Sequence, residues 1–443
     1  MENIVNLNFN YLNLNNDIVE SINTIFSRYF NDLEKFINED MIDAWSCGEY
    51  LLAIGECIDL LEDKEKWLEI SYSIMVKIKK FLHENLEYLG LGFFSGLCHL
   101  GFSVLVFHKN TGYYEKFLLS LNNLIFDKVP EICDNTIKNK ENLKADQFDL
   151  INGLSGVGAY LLECPNDDKR DVALKSVLNF LVTLVLDTHE VEGFHVPNWY
   201  ISKENQSREE EKTIYPKGNF NFGLSHGIAS VLVVLSKAYK NGIIVARHRK
   251  AIDEILQLYN RYGTNKNNER LYLWPGFLSF EDYVANNINS YKSKRQSWCY
   301  GSVGISGAIL NASILIEDND MENFMYENLC KIAEIDNDSY ELLSPIICHG
   351  YTGVLITLLT AYKRKPNKAL YNKIINLATK IINIYNPEST FGFKDVSLKY
   401  ENNTATYQAR DSNSFLEGAT GIILVLIAFF KKETLFERHL LLN

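Results

Sequence analysis

Cysteine is scarce in this chain: eight residues in 443, at positions 47, 57, 98, 133, 164, 299, 330 and 348, with no C-x-x-C pair, which argues against a disulfide framework. Most of these thiols are expected to be reduced and buried as small apolar groups. Proline is equally rare, with eight residues, so little interrupts helix formation. Positive charge is in deficit: 44 Lys+Arg against 56 Asp+Glu give a net charge of −12. That balance offers no basic footprint for a phosphate backbone and excludes nucleic acid as the expected partner. No uncharged apolar run approaches the roughly 20 residues that span a bilayer, the longest candidate being residues 421–430. The first residues, MENIVNLNFNYLNLNN, lack the basic start and apolar block of a secretory signal. The chain is therefore expected in the cytoplasm, reaching a membrane surface only through partners.

What is present in quantity is apolar: 47% of the residues, enough for a large core. A glycine-centred signature recurs six times: Gly96-Leu97-Cys98-His99, Gly153-Leu154-Ser155-Gly156, Gly227-Ile228-Ala229-Ser230, Gly301-Ser302-Val303-Gly304, Gly350-Tyr351-Thr352-Gly353 and Gly418-Ala419-Thr420-Gly421. Most are followed by runs apolar nearly all round, such as 305–316 and 422–430, as expected of helices buried on most sides. Between them lie stretches with a 3.6-residue apolar stripe, of which Leu370, Ile374, Ile375, Leu377, Ile381 and Ile382 are the clearest. The alternation predicts helical hairpins in two concentric layers, an all-α fold of the α/α-toroid type, with the six signature loops gathered at one end. The repeats run on without a linker, so a single domain over 1–443 is expected. Two insertions, about 188–222 and 261–297, read as irregular.

Three signatures open on polar residues: Ser225-His226, Trp298-Cys299-Tyr300 and Cys348-His349. If equivalent loops converge, Cys299, Cys348 and His349 meet. Two thiolates and an imidazole then form a three-ligand zinc site with its fourth position open, the pattern of a catalytic zinc. Spacing alone leaves a second reading open, two buried thiols beside a capping histidine.

The ordered set NGLSGVGAYLL, GLSHGIAS, WCYGSVGISGAIL, CHGYTGVL and LEGATGIILVL resembles the lanthionine synthetase C family, the lantibiotic cyclases, over about residues 40–430. The stretch 197–227 further resembles the members that work beside a separate dehydratase in class I pathways. The resemblance implies an α/α toroid holding one zinc ion on Cys299, Cys348 and His349. It implies intramolecular Michael-type addition of a peptide cysteine to dehydroalanine or dehydrobutyrine in a dehydrated, leader-bearing precursor, closing a (methyl)lanthionine thioether ring. It also implies partners, a lantibiotic dehydratase and an ABC exporter in a membrane-associated complex.

The chemistry fits these residue types. A thiol attacks as thiolate, and a zinc ion deprotonates a thiol that coordinates it. Addition builds an enolate that must be protonated at its α-carbon, a task suited to His226, on which the resemblance places the catalytic histidine. It also places functional roles on Asp149, Arg295 and Tyr300. Asp149 is expected to orient His226, Arg295 to stabilise the enolate or place the peptide, and Tyr300 to hydrogen-bond near the metal. Asp149 as a helix cap, Arg295 as a surface charge and Tyr300 as packing stay open as alternatives. Two departures from the family pattern stand out, Gln296 where an acidic residue is frequent and Ser230 where glycine is usual. His99 is expected to be structural. Glu209-Glu210-Glu211 reads as a solvated face or, alternatively, a docking edge for leader or dehydratase. Other readings are a non-catalytic zinc scaffold binding a peptide or glutathione, a two-carboxylate glycoside hydrolase through Glu417 and Asp149, and a zinc enzyme alkylating thiolates, whose ligand set normally includes a carboxylate that these three residues do not supply.

Overall fold

The computed structural model describes residue 7 and residues 12–39, 43–266, 271–288, 295–401 and 404–443. Most of the N-terminal stretch weighed above as a signal, and residues 267–270 and 289–294 of the second insertion, lie outside them. Contacts divide the chain into two compact units interleaved in sequence, one of Met1–Leu89, Leu100–Glu115 and Ala333–Leu440, the other of Gly90–His99, Lys116–Ile332 and Leu441–Asn443.

Every glycine signature immediately precedes a helix. These helices are Leu97–Thr111, Leu154–Glu163, Ile228–Lys240, Ser302–Leu315, Tyr351–Arg364 and Ala419–Ile427. Leu154–Glu163 and Ala419–Ile427 are buried at every position, so each Leu or Ile they withdraw from water contributes roughly 1.5–3 kcal/mol. The helices between them are amphipathic: Lys368–Ile384 buries Leu370, Ile374, Leu377, Ala378 and Ile381 on one stripe, leaving Ile375 and Ile382 only half-buried.

The helices start in two ways. Some amphipathic helices open on a side-chain cap: Asp167 accepts from the backbone of Lys169 and Arg170, and Asn367 from that of Ala369 and Leu370. The buried helices beginning at Leu154, Ile228, Tyr351 and Ala419 open on a glycine, which has no side chain to cap them. Their first N–H groups go instead to carbonyls of the loop wrapped beneath them, Ser155 N to Phe148 O, Tyr351 N to Ser344 O and Ala419 N to Ser412 O. The loop comes so close that a Cβ on Gly350 would lie 2.3 Å from Ser344 O, which is why the signature needs glycine there.

In the second unit these loops are linked in series by backbone bonds. Phe93 N donates to Ile151 O at 2.9 Å, Leu150 N to Ser225 O at 3.0 Å and Leu224 N to Cys299 O at 3.0 Å. In the first unit Cys348 N donates to Leu416 O at 2.9 Å.

The two insertions depart from the expectation of irregular structure. Antiparallel strands Thr188–Val191 and Phe194–Pro197 pair, and Tyr200–Ile201, Asn219–Asn221 and Phe277–Ser279 form one three-stranded sheet that joins both insertions. Buried aromatics pack on it, Tyr200 and Phe220 from its short strands and Phe280 from the residue just after Phe277–Ser279. A long antiparallel hairpin, Lys394–Glu401 with Thr404–Asp411, was not foreseen at all. Among the described residues no helix is long and apolar enough to cross a membrane.

Candidate active site and metal centre

In the second unit the loops around Gly153, Gly227 and Gly301 bring together Asp149, His226 and the Arg295–Tyr300 segment. Asp149 is fully buried. Its Oδ1 accepts from the backbone N–H groups of Asn152 and Gly153, both at 2.8 Å, and its Oδ2 lies 2.5 Å from His226 Nδ1. The carboxylate is thus both the cap of the second signature and the partner of the histidine. Burial pulls the His226 pKa down, but the hydrogen bond and charge of Asp149, with Cys299 nearby, outweigh it and leave the imidazole above its ordinary value. With Nδ1 committed to Asp149, Nε2 is the nitrogen left to exchange a proton.

Tyr300 stacks on Phe277 at 5.1 Å between ring centroids and lies 6.1 Å from the His226 ring. Its hydroxyl accepts from Asn221 Nδ2 at 3.1 Å, and burial raises its pKa far above the phenolic range. Arg295 Nη2 lies 4.0 Å from Cys299 Sγ, and Ser297 Oγ 3.4 Å from the same sulfur. Gln296, in place of the frequent acidic residue, is buried and accepts from Ser302 N at 3.1 Å, capping the following helix. Ser230 Oγ donates to Gly227 O. His99 is buried, and burial lowers its pKa to about 4, as suits a neutral packing group. Of the acidic run, Glu209 and Glu210 are exposed, whereas Glu211 is half-buried and close enough to His226 and Tyr300 to act on both electrostatically.

In the first unit a cysteine, a histidine and a carboxylate come together. Donor atoms of Cys348, His349 and Glu417 all lie within 4.8 Å of one another. His349 Nε2 is 3.1 Å from Asp395 Oδ1, which also accepts from Ser344 Oγ at 2.9 Å. Asp395 is buried; that burial raises its pKa, but the His349 contact, the Ser344 hydroxyl and the Arg410 charge prevail and hold it below the usual carboxylate range. Arg410 reaches Glu417 Oε2 at 2.9 Å and Asp395 Oδ2 at 3.7 Å. A thiol, an imidazole whose far nitrogen rests on a carboxylate, and a further carboxylate are the donor chemistry of a zinc site with its supporting layer. Of the expected ligands, Cys348 and His349 are thus adjacent in this unit, while Cys299 belongs to the other.

Two of these residues were missed by sequence reasoning. Asp395 and Arg410 sit on the unforeseen hairpin, and nothing local marks them. Glu417 was weighed only as a possible glycosidase carboxylate, and the ligand set was held to contain none; yet it directly precedes Gly418, as His226, Tyr300 and His349 precede Gly227, Gly301 and Gly350.

The family model for lanthionine synthetase C-like proteins matches residues 56–441. The chain belongs to that family. Among its relatives, the nisin biosynthesis protein NisC of Lactococcus lactis subsp. lactis is 31% identical over 340 residues, covering 76% of this chain and 73% of NisC. A solved nisin cyclase superposes with a TM-score of 0.78 at 24% identity, over 95% of this chain and 98% of the other. That likeness bears out the expected all-α fold of the α/α-toroid class. The six glycine signatures of this lanthionine synthetase C-like protein, from Gly96 to Gly421, all lie inside the matched region.

Proposed function

We propose that this chain, a lanthionine synthetase C-like cyclase, closes (methyl)lanthionine rings with one zinc ion held by Cys299, Cys348 and His349. A bound zinc ion would supply the acidity that turns a peptide cysteine, otherwise titrating near 8.5, into a thiolate at neutral pH. The observation that carries the reading is the pairing of Cys348 and His349 with Asp395 behind the imidazole, the carboxylate–histidine arrangement that fixes a ligand's tautomer and leaves Nδ1 for a metal.

The remaining chemistry falls to side chains of the second unit. Attack of the thiolate on the alkene β-carbon of dehydroalanine or dehydrobutyrine forms the C–S bond and moves an electron pair onto the amide oxygen. Arg295 offers a guanidinium to that charge. His226, kept protonated to higher pH by Asp149, delivers a proton from Nε2 to the α-carbon, and Asp149 holds the ring in the tautomer this requires. Tyr300, fixed by Phe277 and Asn221, positions the reacting segment. The substrate is a dehydrated precursor peptide; a separate dehydratase and an exporter in a membrane-associated assembly around a cytoplasmic enzyme complete the proposal.

The test is zinc content by atomic emission on wild type and Cys348→Ala, with cyclisation of a dehydrated peptide followed by loss of free thiol, since ring closure changes no mass. One zinc per chain, lost together with cyclisation in the variant, is expected. Stoichiometric zinc retained by Cys348→Ala rejects the ligand assignment, and cyclisation by zinc-free protein rejects the metal's role.

A further inference from the structure

The hairpin of Lys394–Glu401 and Thr404–Asp411 has two edges of unlike character. It is a sheet of two strands, with Asp395 opposite Arg410, Val396 opposite Ala409, Ser397 opposite Gln408 and Leu398 opposite Tyr407. The outer edge of its first strand is fastened down: Asp395 is buried, and Val396 N donates to Ser344 Oγ at 3.1 Å. That bond also fixes the phase of the ladder. In an antiparallel pair, opposed residues alternately exchange both main-chain bonds and none. Val396 sends its N–H away from the second strand, so Val396 and Ala409 exchange none, and the same holds two residues on for Leu398 and Tyr407. The N–H and C=O groups of Tyr407 and Ala409 therefore point to the outer edge of the second strand, whereas those of Gln408 and Arg410 are spent on the first. Among the described residues no third strand pairs with that edge, and every residue from Tyr407 to Asp411 is exposed. Proteins commonly blunt an open edge with lysine, proline or a covering element, yet the run Thr406-Tyr407-Gln408-Ala409 carries neither charge nor proline.

We propose that this edge is a substrate-docking surface: an extended segment of the dehydrated precursor, flanking the reacting residues, adds to it as a third strand through the main chain of Tyr407 and Ala409. The inference rests on the cyclase reading given above. Continuity with the Cys348–His349 cluster names the occupant. Arg410, next after Ala409, pairs with Glu417 Oε2 at 2.9 Å and reaches Asp395, the carboxylate behind His349, and all of these residues belong to the first unit. A peptide fastened at Ala409 is thus held beside the loops that carry Cys348 and His349. Strand addition binds the backbone and reads only alternate side chains, so one edge serves segments with dehydroalanine and with dehydrobutyrine alike. Tyr407 and Leu398, opposed on one face and 71% and 39% exposed, offer an apolar side chain of the segment a cross-strand neighbour.

The experiment uses the full zinc-loaded chain and a synthetic peptide of about twelve residues, long enough to cover the strand, bearing one dehydroalanine and one cysteine. Its amide nitrogens are methylated one at a time, and KM and kcat are read from loss of free thiol. Only every second amide of an added strand faces its neighbour, so methylation should raise KM about tenfold at alternate positions and leave it unchanged between them. Ala409→Pro deletes one outward N–H at an edge, where proline is tolerated, and should raise KM about tenfold with kcat and zinc content unchanged. Amide hydrogen exchange needs no turnover: the Tyr407 and Ala409 amides should exchange fast in the free chain and slow about tenfold when the S-methylated peptide is added, while Gln408 and Arg410 stay slow throughout. Should the proline displace the hairpin and Asp395 with it, seen as lost zinc, exchange on wild type decides alone. Equal KM across the methylated series, or unprotected Tyr407 and Ala409 amides at saturating peptide, overturns the inference while leaving the cyclase reading intact. Protection of the same amides without peptide, in a dimer, gives the edge to a second copy and likewise overturns it. A wild-type protein that closes no ring on any peptide of the series removes the cyclase reading and the inference with it.

Discussion

Asp149 and His226, 77 residues apart, meet at 2.5 Å through Oδ2 and Nδ1, and the other carboxylate oxygen is clamped by the backbone of Asn152 and Gly153. The same side chain therefore closes one signature loop and aligns the histidine of the next. Because the carboxylate is tied to the main chain, it cannot follow the imidazole if the ring moves, which makes it a fixed reference for the proton-carrying nitrogen.

Asp149→Asn should slow ring closure by roughly 10²–10⁴-fold with zinc content unchanged. The pH profile separates orientation from folding. Asp149 raises the His226 pKa, so in wild type the activity that needs the protonated ring declines only as pH passes that raised value. In the variant the decline should move to lower pH. A profile that keeps its position removes the proposed role.

Asp395→Asn should leave the fold intact and weaken zinc retention by about 10–100-fold in competition with a chelator, the usual cost of losing the partner behind a ligating histidine. Ser344→Ala, which removes one hydrogen bond to the same oxygen, should have a smaller effect of the same sign. Unchanged zinc affinity in Asp395→Asn would detach the hairpin from the proposed metal centre.

Gly301 has φ +141°, and a Cβ there would lie 2.5 Å from Arg295 O and 2.8 Å from Ser297 N. Gly301→Ala should cost about 1–3 kcal/mol of stability from backbone strain alone and displace the loop that carries Cys299, lowering zinc content. Gly276→Ala, whose Cβ would come no nearer than 3.6 Å to Tyr300, is the control and should keep both stability and zinc.

Glu49 tests the first unit without changing a proposed metal ligand. Burial pushes its carboxyl up to about 8 although Phe415 N donates to it at 2.8 Å. A folded-state value above that of the unfolded chain means the contribution is complete below the unfolded value and is lost as pH rises through 8. Between pH 5 and 9 urea unfolding should show wild type losing more stability than Glu49→Gln, by up to ~4 kcal/mol, since the amide carbonyl still accepts from Phe415 and never ionises. Parallel declines would contradict this.

Much of the buried framework was legible because it is local. A buried helix announces itself by being apolar on all sides, and its start by a glycine that lets the loop beneath come close; Gly227 and Gly350 do this within a few residues of sequence. His226, Cys299, Cys348 and His349 were conspicuous for the same reason, thiols and imidazoles standing within two residues of a signature glycine. Glu417 stood at the same register and was legible too, but a glutamate before a glycine is ordinary, and only its approach to Cys348 makes it chemically notable.

The sequence by itself determined the alternation of buried and amphipathic helices, the glycine starts and the identity of the reactive side chains, because periodicity and steric need act over a turn or two of chain. Tertiary structure alone decided that Asp395 supports His349 across 46 residues, that Arg410 and Glu417 pair beside it, and that the two insertions share a sheet through Asn219–Asn221 and Phe277–Ser279. A hydrogen bond between distant segments depends on where the helices between them carry each end, and no short window of sequence contains that information.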